Sequence, residues 1–249
     1  MTDIFDQRAV ADENVGYGLS GDMKKTQFVL QLLGMADCAD TLKCILAAAE
    51  QGMEMNCGSL EDSDLTSPEF TAHSPLGIAP ALKEYDYFTA TAKAIIEFIN
   101  ARGLGYSLIP KNDVIAAEAE VWVDKSREQA EPAIQTLVGE IRGQDGDYAA
   151  AKAQLEPVLD ELNAQLANGD YILGKNYSMA DLHWTAAIHL LELTSGADMI
   201  SSRSNIKSWL DRIRTKKSNC GQSVVAASLM PTVDDVKANK LKNVVIEDF

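Results

Sequence analysis

Short apolar runs alternate with segments of helical period over the first part of the chain. Residues 27–33 form an apolar run that is closed by Gly34, a pattern that predicts a buried strand. Further strands are predicted over residues 53–60, 78–82 and 85–88, and helices over residues 41–51, from Ser67 onward, and over residues 91–101. The elements therefore follow the order βα, βα, ββα.

From residue 111 onward the period becomes helical, and the pattern predicts no further strand. Helices are predicted over residues 112–142, as one long or two shorter segments, and over residues 147–166, 178–195 and 205–214. The predicted fold class is thus an α/β domain followed by an all-α helical bundle. The predicted limits are an N-terminal extension over residues 1–25, domains over residues 26–103 and 111–214, and a C-terminal extension over residues 215–249.

The composition argues against several classes of protein. The chain has 249 residues and is 46% hydrophobic, which is enough apolar material for a packed core. Its net charge of −15 repels phosphate backbones and anionic lipid, so we expect neither nucleic acid nor a membrane as a partner. No segment reaches the roughly 18 apolar residues of a spanning helix, and the start lacks a targeting pattern, so the cytoplasm is predicted. The four cysteines lack zinc-ligand spacing, and no metal is expected.

Two short motifs point to a known family. Residues 74–82 read Ser-Pro-Leu-Gly-Ile-Ala-Pro-Ala-Leu, and residues 171–182 end in Ser-Met-Ala-Asp-Leu after a Leu-Gly pair. The first resembles the Asn-Pro-x-Gly-x-Val-Pro-x-Leu segment of the glutathione transferase superfamily, and the second resembles its Leu-x-Gly-x-x-Ser-x-Ala-Asp segment. In the second motif, Ser178 and Asp181 are spaced for a helix capping box. The resemblance covers about residues 27–214, looks loosely like the phi or theta types, and implies a thioredoxin-like N-terminal domain.

The resemblance also implies a glutathione site. Pro80 matches the family's cis-proline, and Ala79 before it matches the residue that offers its backbone to the cysteinyl part of glutathione. Cys38 falls about where the family has the serine or cysteine that activates the glutathione thiol. The pair Ala90 and Thr91 matches an acidic residue followed by serine, which hold the γ-glutamyl group. Thr91 keeps the hydroxyl, whereas the acid is missing at Ala90.

Cys38 has two interpretations on sequence alone. The N-terminus of a helix stabilises a thiolate and lowers the pKa of a thiol, which would make Cys38 reactive. The neighbouring carboxylates of Asp37 and Asp40 raise the pKa of a thiol, which would suit an inert, half-buried cysteine. In the reactive case, the electrophilic substrate is expected between Cys38 and the helix that carries Glu118 and Trp122. A place in the core or at a dimer interface fits Trp122 equally well.

Two functions from different classes fit these residues. The first is a glutathione transferase, a homodimer that uses glutathione as cosubstrate for conjugation or thiol transfer on a small electrophile or disulfide. The second is a non-catalytic module for protein assembly or ligand binding. The second is favoured by the two extensions, by Ala90, and by Ile78, which stands where the family often has Lys or Gln. The enzyme is favoured because Cys38, Thr91 and the edge formed by Ala79 and Pro80 occur together.

Overall fold

The computed structural model describes residues 4–5, 30–217 and 226–245. The described part of the N-terminal half contains a mixed sheet in the order β2-β1-β3-β4. Strand β1 runs parallel to β2 and antiparallel to β3, and β3 runs antiparallel to β4. The strands are β1 (Leu30–Gly34), β2 (Met55–Ser59), β3 (Ala81–Glu84) and β4 (Tyr87–Ala90). The first predicted strand therefore extends to Gly34, and its residues 27–29 lie outside the described residues.

Three helices accompany the sheet, namely α1 (Ala39–Glu50), the short α2 (Pro68–Thr71) and α3 (Ala92–Arg102). Helix α2 begins as predicted, because Ser67 caps it and Pro68 occupies its first turn, where a missing N–H costs nothing. Every residue of α1 except Asp40 is buried. Helix α1 contacts the neighbouring α3 and also the helical domain, so it lies at the centre of the molecule.

The second half is helical. Its described helices are α4 (Asp113–Lys125), α5 (Glu131–Ile141), α6 (Tyr148–Gln165), α7 (Met179–Glu192), α8 (Ala197–Ser201), α9 (Ser204–Thr215), α10 (Ala226–Leu229) and α11 (Val233–Lys237). Residues 112–142 form two helices joined by a wider π-type turn over Ser126–Ala130. Pro132 in the first turn of α5 explains the division, since proline cannot donate the hydrogen bond that would continue α4. The order of elements confirms the predicted fold class.

The capping box at the start of α7 is also confirmed. The backbone N–H of Ser178 donates to the carboxylate of Asp181 at 3.0 Å. The other oxygen of Asp181 accepts the N–H of Ile172 and the indole N–H of Trp209, each at 2.9 Å. All residues of α7 except Glu192 are buried, as the apolar sequence predicts for a central helix. This carboxylate therefore organises the core of the helical domain.

Both predicted extensions contain described residues that pack against the rest of the chain. Residues 226–245, here called the C-terminal strap, cross to the free edge of the sheet, where Val244 forms an antiparallel bridge with Met55 of β2. At the other end of the chain, Phe5 is fully buried and contacts the ring of Phe88 on β4. The limits predicted for the domains and extensions stay predictions. None of the described helices combines the length and the apolar character needed to cross a membrane.

Candidate functional site

Cys38 lies at the N-terminus of α1. Its backbone is extended, with φ −101° and ψ 118°, and its carbonyl oxygen accepts the N–H of Leu42 at 3.2 Å. The side chain is partly exposed. Loss of solvent around the sulfur raises the pKa of the Cys38 thiol, and the charge of Asp40 adds to this, while hydrogen bonds from Thr41 oppose it. The net shift is upward, which is the opposite of the shift expected from the helix dipole alone.

The loop before Cys38 is held from two directions. The hydroxyl oxygen of Thr41 accepts the N–H of Met35 at 3.1 Å. Asp37 is buried, and one of its oxygens forms an ion pair with Arg142 at the end of α5, with 2.7 Å between nitrogen and oxygen. The second oxygen of Asp37 has no hydrogen-bond partner among the described residues. The position of the loop therefore depends on both domains.

The peptide bond between Ala79 and Pro80 is cis, as the resemblance implied. The turn before it is organised by Ser74, whose hydroxyl group donates to the carbonyl of Ile78 at 2.9 Å and accepts the N–H of the same residue at 3.2 Å. Gly77 has φ +62°, and a Cβ there would lie 2.7 Å from the carbonyl oxygen of Leu65. This position therefore requires glycine, both for its backbone conformation and for space.

The cis-proline and the start of α3 are directly connected. The carbonyl oxygen of Pro80 accepts the N–H of Thr91 at 3.2 Å. Thr91 caps α3 through its hydroxyl oxygen, which accepts the N–H of Ala94 at 3.4 Å. Ala90 ends β4 and pairs with Ala81 of β3. Thr91 has φ 73°, a left-handed conformation that is costly for a β-branched residue.

A cavity of about 150 Å³ lies between α1, α3 and the helical domain. Its walls carry charges of both signs and a buried histidine. The lining residues are Asp40, Thr91, Ala92, Lys93, Ile96, Glu120, Val123, Arg127, Met179 and His183. Of the residues predicted for the site, Thr91 lines this cavity, whereas Cys38, Ala79, Pro80 and Ala90 do not.

The two residues predicted for a substrate pocket do not line this cavity either. Glu118 is exposed on α4. Trp122 is buried and packs edge-on against Trp184, with 6.3 Å between ring centres, and its carbonyl accepts the indole N–H of Trp184 at 2.9 Å. The residues of α4 that face the cavity are Glu120 and Val123. The cavity thus meets α4 at other residues, and a substrate pocket at Glu118 and Trp122 stays a prediction.

Sequence reasoning missed a buried charge cluster beneath the cavity. Lys43 is fully buried, and its amino nitrogen lies 2.7 Å from Asp40 and 2.8 Å from Glu131 at the start of α5. Burial lowers the pKa of Lys43, but the charges of Glu131 and Asp40 outweigh it, so the net shift is upward and the ion pairs persist. A lysine three residues after an aspartate in a helix was the only available signal, because Glu131 is distant in sequence.

His183 is the second group that sequence reasoning did not place at a site. Burial lowers the pKa of His183 well below its usual value, and the positive charges of Lys43 and Arg127 lower it further. The imidazole is therefore neutral at neutral pH. Its Nδ1 atom is buried without a hydrogen-bond partner among the described residues. An unpaired polar atom beside a cavity is a group that a ligand can satisfy.

In this protein a four-stranded thioredoxin-like sheet and a cis-proline loop precede a helical domain. Known proteins resemble the chain in the following ways. A family model described as glutathione S-transferase, C-terminal domain, matches residues 120–212. Glutathione S-transferase 3 of Zea mays is 28% identical over 221 residues, which cover 81% of this chain and 96% of that protein. Glutathione S-transferase F10 of Arabidopsis thaliana is 25% identical over 191 residues, or 72% of this chain and 89% of that protein.

Solved structures give the same result. The crystal structure of glutathione transferase F7 from Populus trichocarpa has a TM-score of 0.66 at 28% identity, and the match covers 75% of this chain and 94% of that one. These matches support a member of the glutathione transferase superfamily, in agreement with the resemblance predicted from the two motifs. The names of the relatives support a function of this family without specifying a substrate or a reaction.

Proposed function

We propose that this protein is a glutathione-dependent transferase. Glutathione would bind along the Ala79–Pro80 edge and reach the start of α3, with its thiol toward Cys38. The observation that carries the proposal is the hydrogen bond from the N–H of Thr91 to the carbonyl of Pro80, at 3.2 Å. This contact holds two features side by side. One is the backbone edge that would pair with a peptide, and the other is the N-terminus of α3, which would hold a carboxylate.

The cavity compensates for the acid that is missing at Ala90. Glu120 and Lys93 line it and form no ion pair with other described residues. A γ-glutamyl group carries an ammonium and a carboxylate on the same carbon. We assign the ammonium to Glu120 and the carboxylate to Lys93 and the N–H groups that begin α3. The helical domain would thus supply a charge that the N-terminal domain lacks.

The two reactions of the proposal place different demands on Cys38. In conjugation, the glutathione thiolate attacks the electrophile and Cys38 only contacts the sulfur. In thiol transfer, the Cys38 thiolate attacks a glutathione mixed disulfide, forms a new mixed disulfide, and releases the substrate as a thiol. Because the pKa of Cys38 is raised, the thiol form predominates at neutral pH and thiol transfer should be slow there.

The test combines binding with turnover. We expect calorimetry to detect glutathione binding by both the wild type and Cys38→Ser. With a generic aryl halide as electrophile, Cys38→Ser should retain conjugation; with a small mixed disulfide, it should lose thiol transfer. Absence of glutathione binding at millimolar concentration would contradict the proposal.

A non-catalytic ligand-binding module is the second candidate. The observation that favours it is the raised pKa of Cys38, since a protonated thiol is a poor nucleophile. This candidate predicts glutathione binding without turnover of either the electrophile or the disulfide, over the full range of pH at which the protein is folded. An assembly role through the extensions predicts that removing residues 1–25 changes the molecular mass of the complex purified with the protein.

We also propose a homodimer. Several large apolar side chains are exposed on β4 and α4, where a second copy of the chain would cover them. They are Tyr87, Val114, Ile115 and Val121. Light scattering should report twice the mass of the chain. A double substitution, Val114→Asp with Val121→Asp, should shift the protein to a monomer, whereas a monomeric wild type would contradict the proposal.

A further inference from the structure

The C-terminal strap reaches the loop that carries Cys38. The side-chain oxygen of Asn239 accepts the N–H of Ala36 at 3.0 Å, and its side-chain nitrogen donates to the carbonyl of Leu60 at 2.7 Å. Ala36 lies two residues before Cys38, and Leu60 directly follows β2. A single side chain from the far end of the sequence therefore connects the loops that leave β1 and β2.

The position of Asn239 is well defined. Asn239 is only 7% exposed. Its backbone has φ 47°, a left-handed conformation that asparagine tolerates better than most residues. Its backbone N–H donates to the carbonyl of Val236 at the end of α11. Val236 and Leu241, on either side, are both buried. The strap is thus anchored around Asn239, and its amide points into the protein.

The loop depends on this amide. Ala36 is fully buried, so its N–H would lack a partner if Asn239 were removed, and an unpaired buried N–H is costly. The same loop is held by the ion pair between Asp37 and Arg142. The strap and α5 therefore hold neighbouring residues of the loop from different directions, immediately before Cys38.

We propose that Asn239 is a positioning residue for Cys38: by holding Ala36, the strap keeps the Cys38 sulfur in its partly buried position at the start of α1. The consequence for glutathione chemistry rests on the proposed function. The consequence for the thiol itself does not, because desolvation affects any reaction of that sulfur. Freeing the loop should admit water, stabilise the thiolate, and make Cys38 more reactive.

The test measures alkylation of Cys38 by iodoacetamide as a function of pH, with the modified cysteine identified by peptide mass spectrometry. Asn239→Gly removes the amide and suits the left-handed backbone. We expect alkylation near pH 8 to accelerate on the order of threefold or more, the change that a fall of half a unit in the pKa gives. The midpoint of the pH profile should move downward.

Asn243→Ala is the matched control. Asn243 also joins the strap to the sheet, since its side-chain oxygen accepts the N–H of Cys57 at 2.8 Å, but it does not touch the loop of Cys38. Its alkylation profile at Cys38 should match the wild type. The charged groups around the loop, Asp37 with Arg142 and Asp40 with Lys43, are present in both variants.

Two results would overturn the inference. One is an Asn239→Gly profile that superimposes on the wild type; the other is an equal change in Asn243→Ala. If Asn239→Gly does not fold, amide hydrogen exchange of the wild type gives the answer, because the inference requires the Ala36 N–H to be protected and fast exchange there would refute it. If the wild type fails to bind glutathione, the proposed function fails while the alkylation result stands.

Discussion

The loop of Cys38 and the cavity between the domains differ in how fully their polar groups are paired. In the loop, Met35 and Ala36 donate to Thr41 and Asn239, and one oxygen of Asp37 pairs with Arg142, while its other oxygen has no partner among the described residues. Around the cavity, Glu120 and Lys93 form no ion pair with other described residues, and His183 keeps an unpaired nitrogen. Polar groups that are paired within the protein hold a segment in place, whereas unpaired polar groups are available to bind a ligand. We therefore expect the loop to control reactivity and the cavity to control affinity.

Lys43 pairs with Asp40, which lines the cavity, and loss of Lys43 should have the largest effect. Lys43→Met would leave the carboxylates of Glu131 and Asp40 without their cation, and breaking a buried pair costs about 3 kcal/mol. Urea unfolding should show this loss. Lys207→Met is the control, because Lys207 pairs with Asp211 at the surface and should cost less than about 1 kcal/mol. Equal losses would show that the buried cluster has no special importance.

The strap should respond to acid through His189. Its imidazole Nε2 lies 2.8 Å from the carbonyl of Pro231 in the strap, and burial, opposed by this contact, lowers the pKa of His189 to about 4. The histidine of the unfolded chain takes up a proton near pH 6.5, whereas the folded protein does so only near pH 4. The free energy of unfolding therefore falls, and the protein becomes less stable, as the pH drops from about 6.5 toward 4. Above about pH 7.5 the residue is neutral in both states and contributes no pH dependence.

The measurement is the free energy of unfolding at pH 6.5 and at pH 5. His189 should account for roughly 1.5 kcal/mol of the decrease between them. His189→Gln should remove that share, and His73→Gln is the control, because His73 is only partly buried. A decrease of the same size in His189→Gln would assign the acid sensitivity to other groups, among which the buried His183 is the first to test.

Affinity should depend on the face of α4 that lines the cavity. Glu120→Gln removes the proposed partner of the ammonium group, which should weaken glutathione binding about tenfold, as loss of one charge-assisted contact does. Glu118→Gln, on the exposed side of the same helix, should bind as the wild type does. Calorimetry distinguishes them. If both variants bind equally well, the cavity is not the γ-glutamyl site.

The sequence predicted those features that depend on neighbouring residues. Short motifs of a few residues predict the capping box of Ser178 and Asp181 and the cis bond at Pro80, because local geometry determines both features. The contact between Asn239 and Ala36 joins residues 203 positions apart, and no local pattern encodes it.

For the same reason, the sequence leaves the direction in which Trp122 points open between a pocket, the core and a dimer interface. It is set by packing against Trp184 of another helix. Likewise, the sequence leaves two directions open for the pKa of Cys38, because desolvation depends on what the fold places around the sulfur. Long-range packing, which the sequence does not show locally, determines which of the predicted site residues line the cavity.

Thr91 gives the smallest expected change in stability and separates stability from binding. Its left-handed backbone, with φ 73° and ψ 138°, costs a non-glycine residue of order 1 kcal/mol. Thr91→Gly relieves that cost and loses only a few tenths of a kcal/mol of capping, so the protein should become slightly more stable, by about 0.5 kcal/mol. The same change removes a hydroxyl from the cavity wall, so glutathione should bind less tightly.

Thermal unfolding and calorimetry on the same Thr91→Gly preparation measure both quantities. If Thr91→Gly is more stable than the wild type but binds glutathione less tightly, the strained threonine is retained for its hydroxyl group. Binding would then explain the backbone strain at Thr91. Thr89→Gly in β4 is a suitable control, since it lies two residues earlier, outside the cavity lining, and should lower stability without such a gain. A Thr91→Gly protein that is more stable and binds glutathione unchanged would remove Thr91 from the site.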